Sequence, residues 1–350
     1  MNRFISAVAT GALAVMIGCA PSPQQETKKE ATPAYKAPSV PGYQDMAIPA
    51  SNPITKAKVD LGHMLYFDKR VSGDQSRSCY SCHVKEKGLT DGLPMAIGAY
   101  EAKLTRAAPT MWNVGYYPAL YWDGRSASLE KQVLGAMGGG NMGCTGKDPK
   151  PTVDACVERV ASVEGYKKTF EAAFGPGPIT KEKFADAVAS FMRTIVSTDS
   201  AWYKFKGGDK AAFSEAAQRG YTIFAEKAKC TNCHDGLLLT DQQFHNVGIG
   251  MDAAKPDIGR GAISKEEKDT GAFKTPTLLD ISKTAPYFHN GSAKTLEDAV
   301  EVMTGGGKKN KYLDVTNIKP ANLTKAEKAD LIAFLRSLDV TYSIPDPVLP

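Results

Sequence analysis

Cys79-Tyr80-Ser81-Cys82-His83 recurs as Cys230-Thr231-Asn232-Cys233-His234, 151 positions further along the chain. Cys-x-x-Cys-His is the attachment pattern of covalently bound c-type haem: the two thiols bond the haem vinyl groups and the adjacent imidazole ligates iron. Each copy runs into a Gly-containing turn, Lys87-Gly88 and Asp235-Gly236. A zinc site would use paired Cys-x-x-Cys without an obligatory His after each. A thioredoxin-like redox pair would need a βαβ pattern, which is absent. The reading is two covalently bound haem c groups, held by Cys79, Cys82 and His83 and by Cys230, Cys233 and His234.

The first eighteen residues read as an export signal, with Arg3 ahead of the mostly apolar run from Phe4 to Ile17. That run is too short to span a bilayer. It ends in Met16-Ile17-Gly18-Cys19, similar to the box at which bacterial lipoproteins are cleaved, with Met where Leu is usual. Cys19 is then the expected lipidation site, anchoring the protein to a membrane by hydrocarbon burial. Ordinary cleavage nearby would instead leave a free thiol. Of the seven cysteines, Cys144 and Cys156 remain, twelve apart in a polar Gly- and Pro-rich stretch. In an oxidising compartment they are expected to form a disulfide worth ~3 kcal/mol, the alternative being two free thiols.

The formal charge of +5 nearly cancels against the four propionates of two haems, and no basic footprint for nucleic acid is present. Lysine pairs such as Lys308-Lys309 read as solvated surface. Residues 19–40 are rich in Pro, Gln, Lys, Glu and Thr and read as a flexible tether. Beyond them the pattern is helical, over Lys56–Phe67, Ser128–Leu134, Val153–Phe174, Lys181–Ile195, Ser214–Phe224, Leu296–Met303 and Lys325–Leu338. Thr180, Ser214 and Thr324 stand as helix starts, and no sustained alternation argues for a sheet. The expected fold is all-α, in two haem domains with long loops. The split falls between Asp199 and Asp209, giving domains 41–204 and 205–350.

Further segments carry a resemblance. Leu61-Gly62-His63-Met64-Leu65-Tyr66-Phe67-Asp68, Tyr121-Trp122-Asp123-Gly124-Arg125, Gln243-Phe244-His245-Asn246-Val247-Gly248, Phe273-Lys274-Thr275-Pro276-Thr277-Leu278 and Ala285-Pro286-Tyr287-Phe288-His289-Asn290-Gly291 lie around the haem motifs in one order. From about residue 50 to 340 the chain resembles the bacterial dihaem cytochrome c peroxidase family, which includes the MauG-type dihaem oxidases. The resemblance implies two cytochrome c-like domains, the C-terminal haem receiving electrons and the N-terminal haem meeting hydrogen peroxide. It implies Met303 as second axial ligand of the C-terminal haem, where the MauG-type branch has Tyr. His/Met ligation raises the potential, because thioether sulfur favours ferrous iron. Trp122 falls where the family has an aromatic residue between the haems, although core packing also explains a Trp there. Trp112 and Trp202 read as core.

Three positions depart from the family. The distal His that follows an Ile-Gly pair is replaced by Ala99 in Ala96-Ile97-Gly98-Ala99-Tyr100. His63 reads as a surface residue, and His245 and His289 as packing or hydrogen-bonding residues near the second haem. The N-terminal iron is therefore expected to be five-coordinate or weakly held by Met95, Tyr100 or Met142. The distal Glu is replaced by Asn141, with no Asp or Glu from Lys131 to Lys147. An amide can hydrogen-bond peroxide but cannot relay its proton. The family's calcium would draw on Thr284 and Pro286, with Ala107 where a side-chain amide is usual. The resemblance thus implies a periplasmic peroxidase fed by a small c-type cytochrome or a cupredoxin-like donor, in a family that often forms homodimers. The rivals are a dihaem electron-transfer protein that has lost the proton relay, and a MauG-like oxidase of a partner protein.

Overall fold

Helices begin where the sequence supplies a cap for amides that a helix leaves unpaired. The computed structural model describes Met1, residues 35–341 and 344–350. The expectations for the export segment, for Cys19 and for the tether up to residue 34 lie outside the described residues. Thr55 caps α1 (Lys56–Phe67), Ser128 caps α2 (Leu129–Gly138) and Thr152 caps α3 (Val153–Ala161), each accepting from a first-turn amide. Helix α4 (Glu164–Phe174) follows at once, and Thr180 caps α5 (Lys181–Met192). Ser200 opens α6 (Ala201–Lys206), Ser214 opens α7 (Glu215–Thr222), and α8 (Gly261–Ser264) is a single turn. Thr295 opens α9 (Leu296–Thr304) and Thr324 opens α10 (Lys325–Arg336), both with reciprocal capping boxes. Sheet among the described residues is one antiparallel ribbon of β1 (Phe244–His245) and β2 (Phe273–Lys274), with Phe244 opposite Lys274.

Three expectations are corrected. The helix expected from Val153 to Phe174 breaks at Ser162-Val163, where Val163 turns extended and lets both Val160 and Tyr166 point into the core. The tether does not run to residue 40: Val40 is buried and its amide donates to the Tyr116 hydroxyl at 3.2 Å, so the packed chain begins earlier. The division expected between 204 and 205 falls within α6. Trp202 on that helix packs edge-on against Tyr221 and Phe334 and donates to the Leu237 carbonyl, which ties α6 to the second half.

Residues 35–350 form one compact unit in which the two halves repeat each other. In the first, α1 packs on α5; in the second, α7 packs on α10. Each crossing is centred on a glycine, where a Cβ at Gly62 would meet the Ala187 carbonyl and one at Gly220 the Asp330 carbonyl. One turn on, Tyr66 meets Phe191 with ring centroids 5.2 Å apart, and Phe224 meets Phe334 at 5.0 Å. The loops repeat as well, down to left-handed backbone at Leu89 and Leu239, Asn113 and Asp280, and Tyr121 and Phe288. The bridge from Leu120 to Ser126 before α2 matches that from Tyr287 to Ala293 before α9.

The halves meet through a reciprocal exchange. Ala107 N–H donates to the His289 carbonyl at 2.7 Å, and its counterpart Lys274 N–H donates to the Trp122 carbonyl at 2.8 Å. Around this exchange the Arg106 guanidinium bridges Asp123 at 2.6 Å and Asp257 at 2.7 Å, and Trp112 Nε1 donates to buried Asp280 at 2.8 Å.

Candidate functional site

Both pentapeptides lie in short 3-10 turns, and each delivers its histidine to a cavity. His83 Nδ1 lies 3.1 Å from the Leu89 carbonyl, and His234 Nδ1 lies 3.1 Å from the Leu239 carbonyl. A carbonyl can only accept, so Nδ1 carries the proton in both rings and Nε2 keeps its lone pair for a metal. Burial pushes both imidazoles down, towards the neutral form that ligates. Burial also pushes the Cys79 and Cys230 thiols up to about 12 and Cys82 to about 11. Such sites disfavour the thiolates that zinc requires and favour neutral sulfur, as in a thioether.

The first-half cavity is lined by Cys82 and His83 with Asn141, Gln132, Arg106, Arg125 and Asp123. The second-half cavity is lined by Cys230, Cys233, His234 and Met303, with Phe224, Phe273, His245 and His289. One imidazole with a free Nε2 suits haem at both places, against a mostly apolar wall in the second and, in the first, Leu104, Met111, Val114 and Leu120 beside the polar groups. Two buried polar atoms lack a protein partner among the described residues, Tyr66 Oη and one Asp91 oxygen, and both groups act electrostatically on the Cys82–His83 region.

Sequence expectation and structure can be matched residue by residue. Met303 is brought to the cavity of His234, and Trp122 lines both cavities, its Nε1 donating to the Ala107 carbonyl at 2.9 Å. Asn141 is brought to the cavity of His83, with its backbone carbonyl accepting from Ala99 N–H at 3.0 Å. Tyr100, Met95 and Met142 are not: Tyr100 turns its ring outward under Lys150, Met95 is half exposed, and Met142 packs in the core. The left-handed backbone at Tyr100, fixed by its amide donating to Asp74, aims that side chain away. His63 is not a plain surface residue; it stacks on Phe191 and lies 2.8 Å from the Pro345 carbonyl. Cys144 and Cys156 are joined in a disulfide that pins the loop after Asn141 to α3. Thr284, Pro286 and Ala107 all line the second cavity.

Cys233, Asp241 and His245 do cluster, yet they do not make a metal site. Both ring nitrogens of His245 face carboxylates, Asp241 at 2.8 Å and Asp314 at 2.6 Å, and Asp241 first among its neighbours pushes His245 above the ordinary imidazole value. An imidazolium has no lone pair to offer.

The internal repeat adds what the motifs alone did not show. The stretch from Tyr121 through Leu129 to Gly140 matches that from Phe288 through Leu296 to Gly307, both running through a helix into three glycines. On this register Met303 corresponds to Ala136, and the first half has no thioether at that place. Met111 and Met192, which line the first cavity, correspond to Leu278 and Leu335 in the second, marking them as wall residues.

Comparison with known proteins agrees with this geometry. The family model for di-haem cytochrome c peroxidase matches residues 56–211, and that for cytochrome c matches residues 217–339. The methylamine utilization protein MauG of Methylophilus methylotrophus is 34% identical over 307 residues, covering 86% of this chain and 88% of that protein. The cytochrome c551 peroxidase of Nitrosomonas europaea is 33% identical over 308 residues, covering 87% and 86%. A crystal structure described as a MauG-like protein associated with microbial copper homeostasis superposes with a TM-score of 0.77 at 32% identity, covering 86% of this chain and 95% of that one. The cytochrome c domains imply covalently bound haem c, two in this family. The chain, mostly helical with two cytochrome c-like domains, belongs to the dihaem cytochrome c peroxidase family that includes MauG.

Proposed function

We propose that this chain is a periplasmic dihaem oxidoreductase that takes electrons at the His234/Met303 site and delivers them to hydrogen peroxide at the His83 site. Haem bound at the two sites would supply electron storage and the iron that peroxide meets. The chain's own residues do the rest. Cys79 and Cys82, and Cys230 and Cys233, hold the two groups covalently, while the Leu89 and Leu239 carbonyls fix the two imidazoles for ligation. Met303 sulfur favours the reduced state at its site and makes it the entry point for a small c-type cytochrome or cupredoxin-like donor. Trp122, which lines both cavities, lies on the path between them. Each turnover consumes two electrons and two protons as peroxide becomes two waters. The export reading of residues 1–18, with Cys19 as lipid anchor, belongs to the same proposal.

The observation that carries this reading is the inequality of the two cavities: Met303 lines one, and its repeat counterpart Ala136 brings no ligand to the other. The same cavity argues for slow turnover. Asn141 lines it, and the one carboxylate there, Asp123, is engaged by Arg106 at 2.6 Å and Arg125 at 3.0 Å. Loss of general acid–base help costs about 10²–10⁴ in rate. This favours, as second reading, an electron-transfer protein that retains the scaffold alone. Asn141→Glu separates the two. Steady-state peroxide turnover with a reduced small cytochrome should rise by about 10² or more in the variant. Fast turnover by the parent, unchanged or lowered in Asn141→Glu, would mean that another group, such as Asp123, carries the proton.

A further inference from the structure

Of the residues that line both cavities, Lys274 alone carries a charge. Its position is set by the exchange that joins the halves, in which its N–H bonds the Trp122 carbonyl at 2.8 Å. The repeat-related partner in that exchange is Ala107, so at this matched position the second half has a cation where the first has none, and the neighbouring Arg106 is already paired with Asp123 and Asp257. The Lys274 ammonium stands 4.3 Å from the centroid of the Tyr117 ring, which lines the first cavity and not the second. Its other polar contact is Gln242 Oε1 at 3.4 Å, and no carboxylate of the described residues forms an ion pair with it. Burial, with no charged neighbour to offset it, pushes the amine of this partly buried residue down to about 8.

A buried cation without a protein anion is costly unless a ligand brings one. The haem group that fits the first cavity carries two propionate carboxylates. We propose that the Lys274 ammonium is the counter-charge for a propionate of the N-terminal haem, and that it holds that haem's reduction potential up. Reduction adds one negative charge, which a nearby buried cation stabilises. Through the effective dielectric of a protein interior, such an attraction is worth on the order of a tenfold change in the reduction equilibrium. For a one-electron couple, tenfold is 59 mV. Lys274 is thus a positioning and tuning residue, set between the sites and acting on one of them.

This inference rests on the two-haem architecture and not on peroxide turnover, so its failure and that of the proposed activity are distinguishable. The test is a spectroelectrochemical titration of the holoprotein and of Lys274→Met, Lys274→Gln and Lys274→Arg, without peroxide, with haem content measured for each. In the Met and Gln variants the N-terminal haem should become about tenfold harder to reduce, a fall near 59 mV. The C-terminal haem should move less, and Lys274→Arg should keep the parent value. If the neutral variants fail to acquire haem while the Arg variant matures, the need for a cation is shown by that route. The proposal is overturned if the N-terminal potential stays within twofold of the parent in both neutral variants, if the C-terminal haem moves alone, or if all three variants fail to mature.

Discussion

Gly220→Ala should destabilise the second half although Ala is the better helix former. In the middle of an exposed helix the substitution stabilises by roughly 0.5–1 kcal/mol. Gly220 is where α7 crosses α10, and a Cβ there would lie 2.7 Å from the Asp330 carbonyl carbon and 2.8 Å from Phe334 Cβ. Neither neighbour can give way cheaply, because one is helix backbone and the other begins a ring packed against Phe224, Trp202 and Phe213. Overpacking of this kind costs about 1–3 kcal/mol, which exceeds the propensity gain. Net of that gain the loss is up to about 2.5 kcal/mol, so at about 2–4 °C per kcal/mol the melting temperature should fall by up to about 10 °C. Gly135→Ala is the internal control. Gly135 sits exposed in α2, and its nearest neighbour would be the Tyr121 hydroxyl at 3.4 Å, an ordinary contact. That variant should be neutral or slightly stabilised. Melts of the holoprotein followed by far-ultraviolet circular dichroism read both signs. A Gly220→Ala protein as stable as Gly135→Ala would refute the close crossing of α7 and α10.

The Cys144–Cys156 disulfide predicts that alkylation under unfolding conditions adds two labels only after reduction; labelling of both thiols without reductant contradicts it. The clamp on His245 predicts a pH dependence. Its folded pKa is raised above an unfolded value near 6.5, by Asp241 foremost with Asp314 opposite. The group therefore contributes stability that is fully present below about pH 6.5 and is lost as pH rises through the folded value. Melts of the parent against His245→Gln should differ most near neutrality and converge as the pH rises towards the folded pKa; a difference that grows with pH would refute the clamp.

Much of the fold was legible because helix starts are local chemistry. Thr180, Ser214 and Thr324 were readable as caps, and each accepts from a first-turn amide. The break at Ser162-Val163 was not readable, since both flanking segments are amphipathic helices and only the core they share requires the turn. Helix α6 was hidden by its polar flanks and is held by Trp202, whose partners Tyr221 and Phe334 lie far along the chain. At the site, the pentapeptides and Met303 could be read as motifs. Tyr100 could not, because its direction follows from left-handed backbone fixed by Asp74. Lys274 stands in the sequence two residues before Pro276, where the matching Pro109 has Ala107 two residues before it. Its meaning needed the junction, where a backbone exchange sets it between two cavities.

The central claim is that the two haem sites are unequal, one ligated by His234 and Met303 and the other by His83 with its distal side open. Met303 lines the second cavity; its repeat counterpart is Ala136, the resemblance puts Ala99 at the family's distal His, and His83 is the one imidazole lining the first cavity. Low-temperature electron paramagnetic resonance of the resting diferric holoprotein reads both irons at once. The account predicts equal amounts of one low-spin signal, from the His/Met site, and one high-spin signal, from the His83 site. Two low-spin signals, showing a strong sixth ligand on both irons, would contradict it.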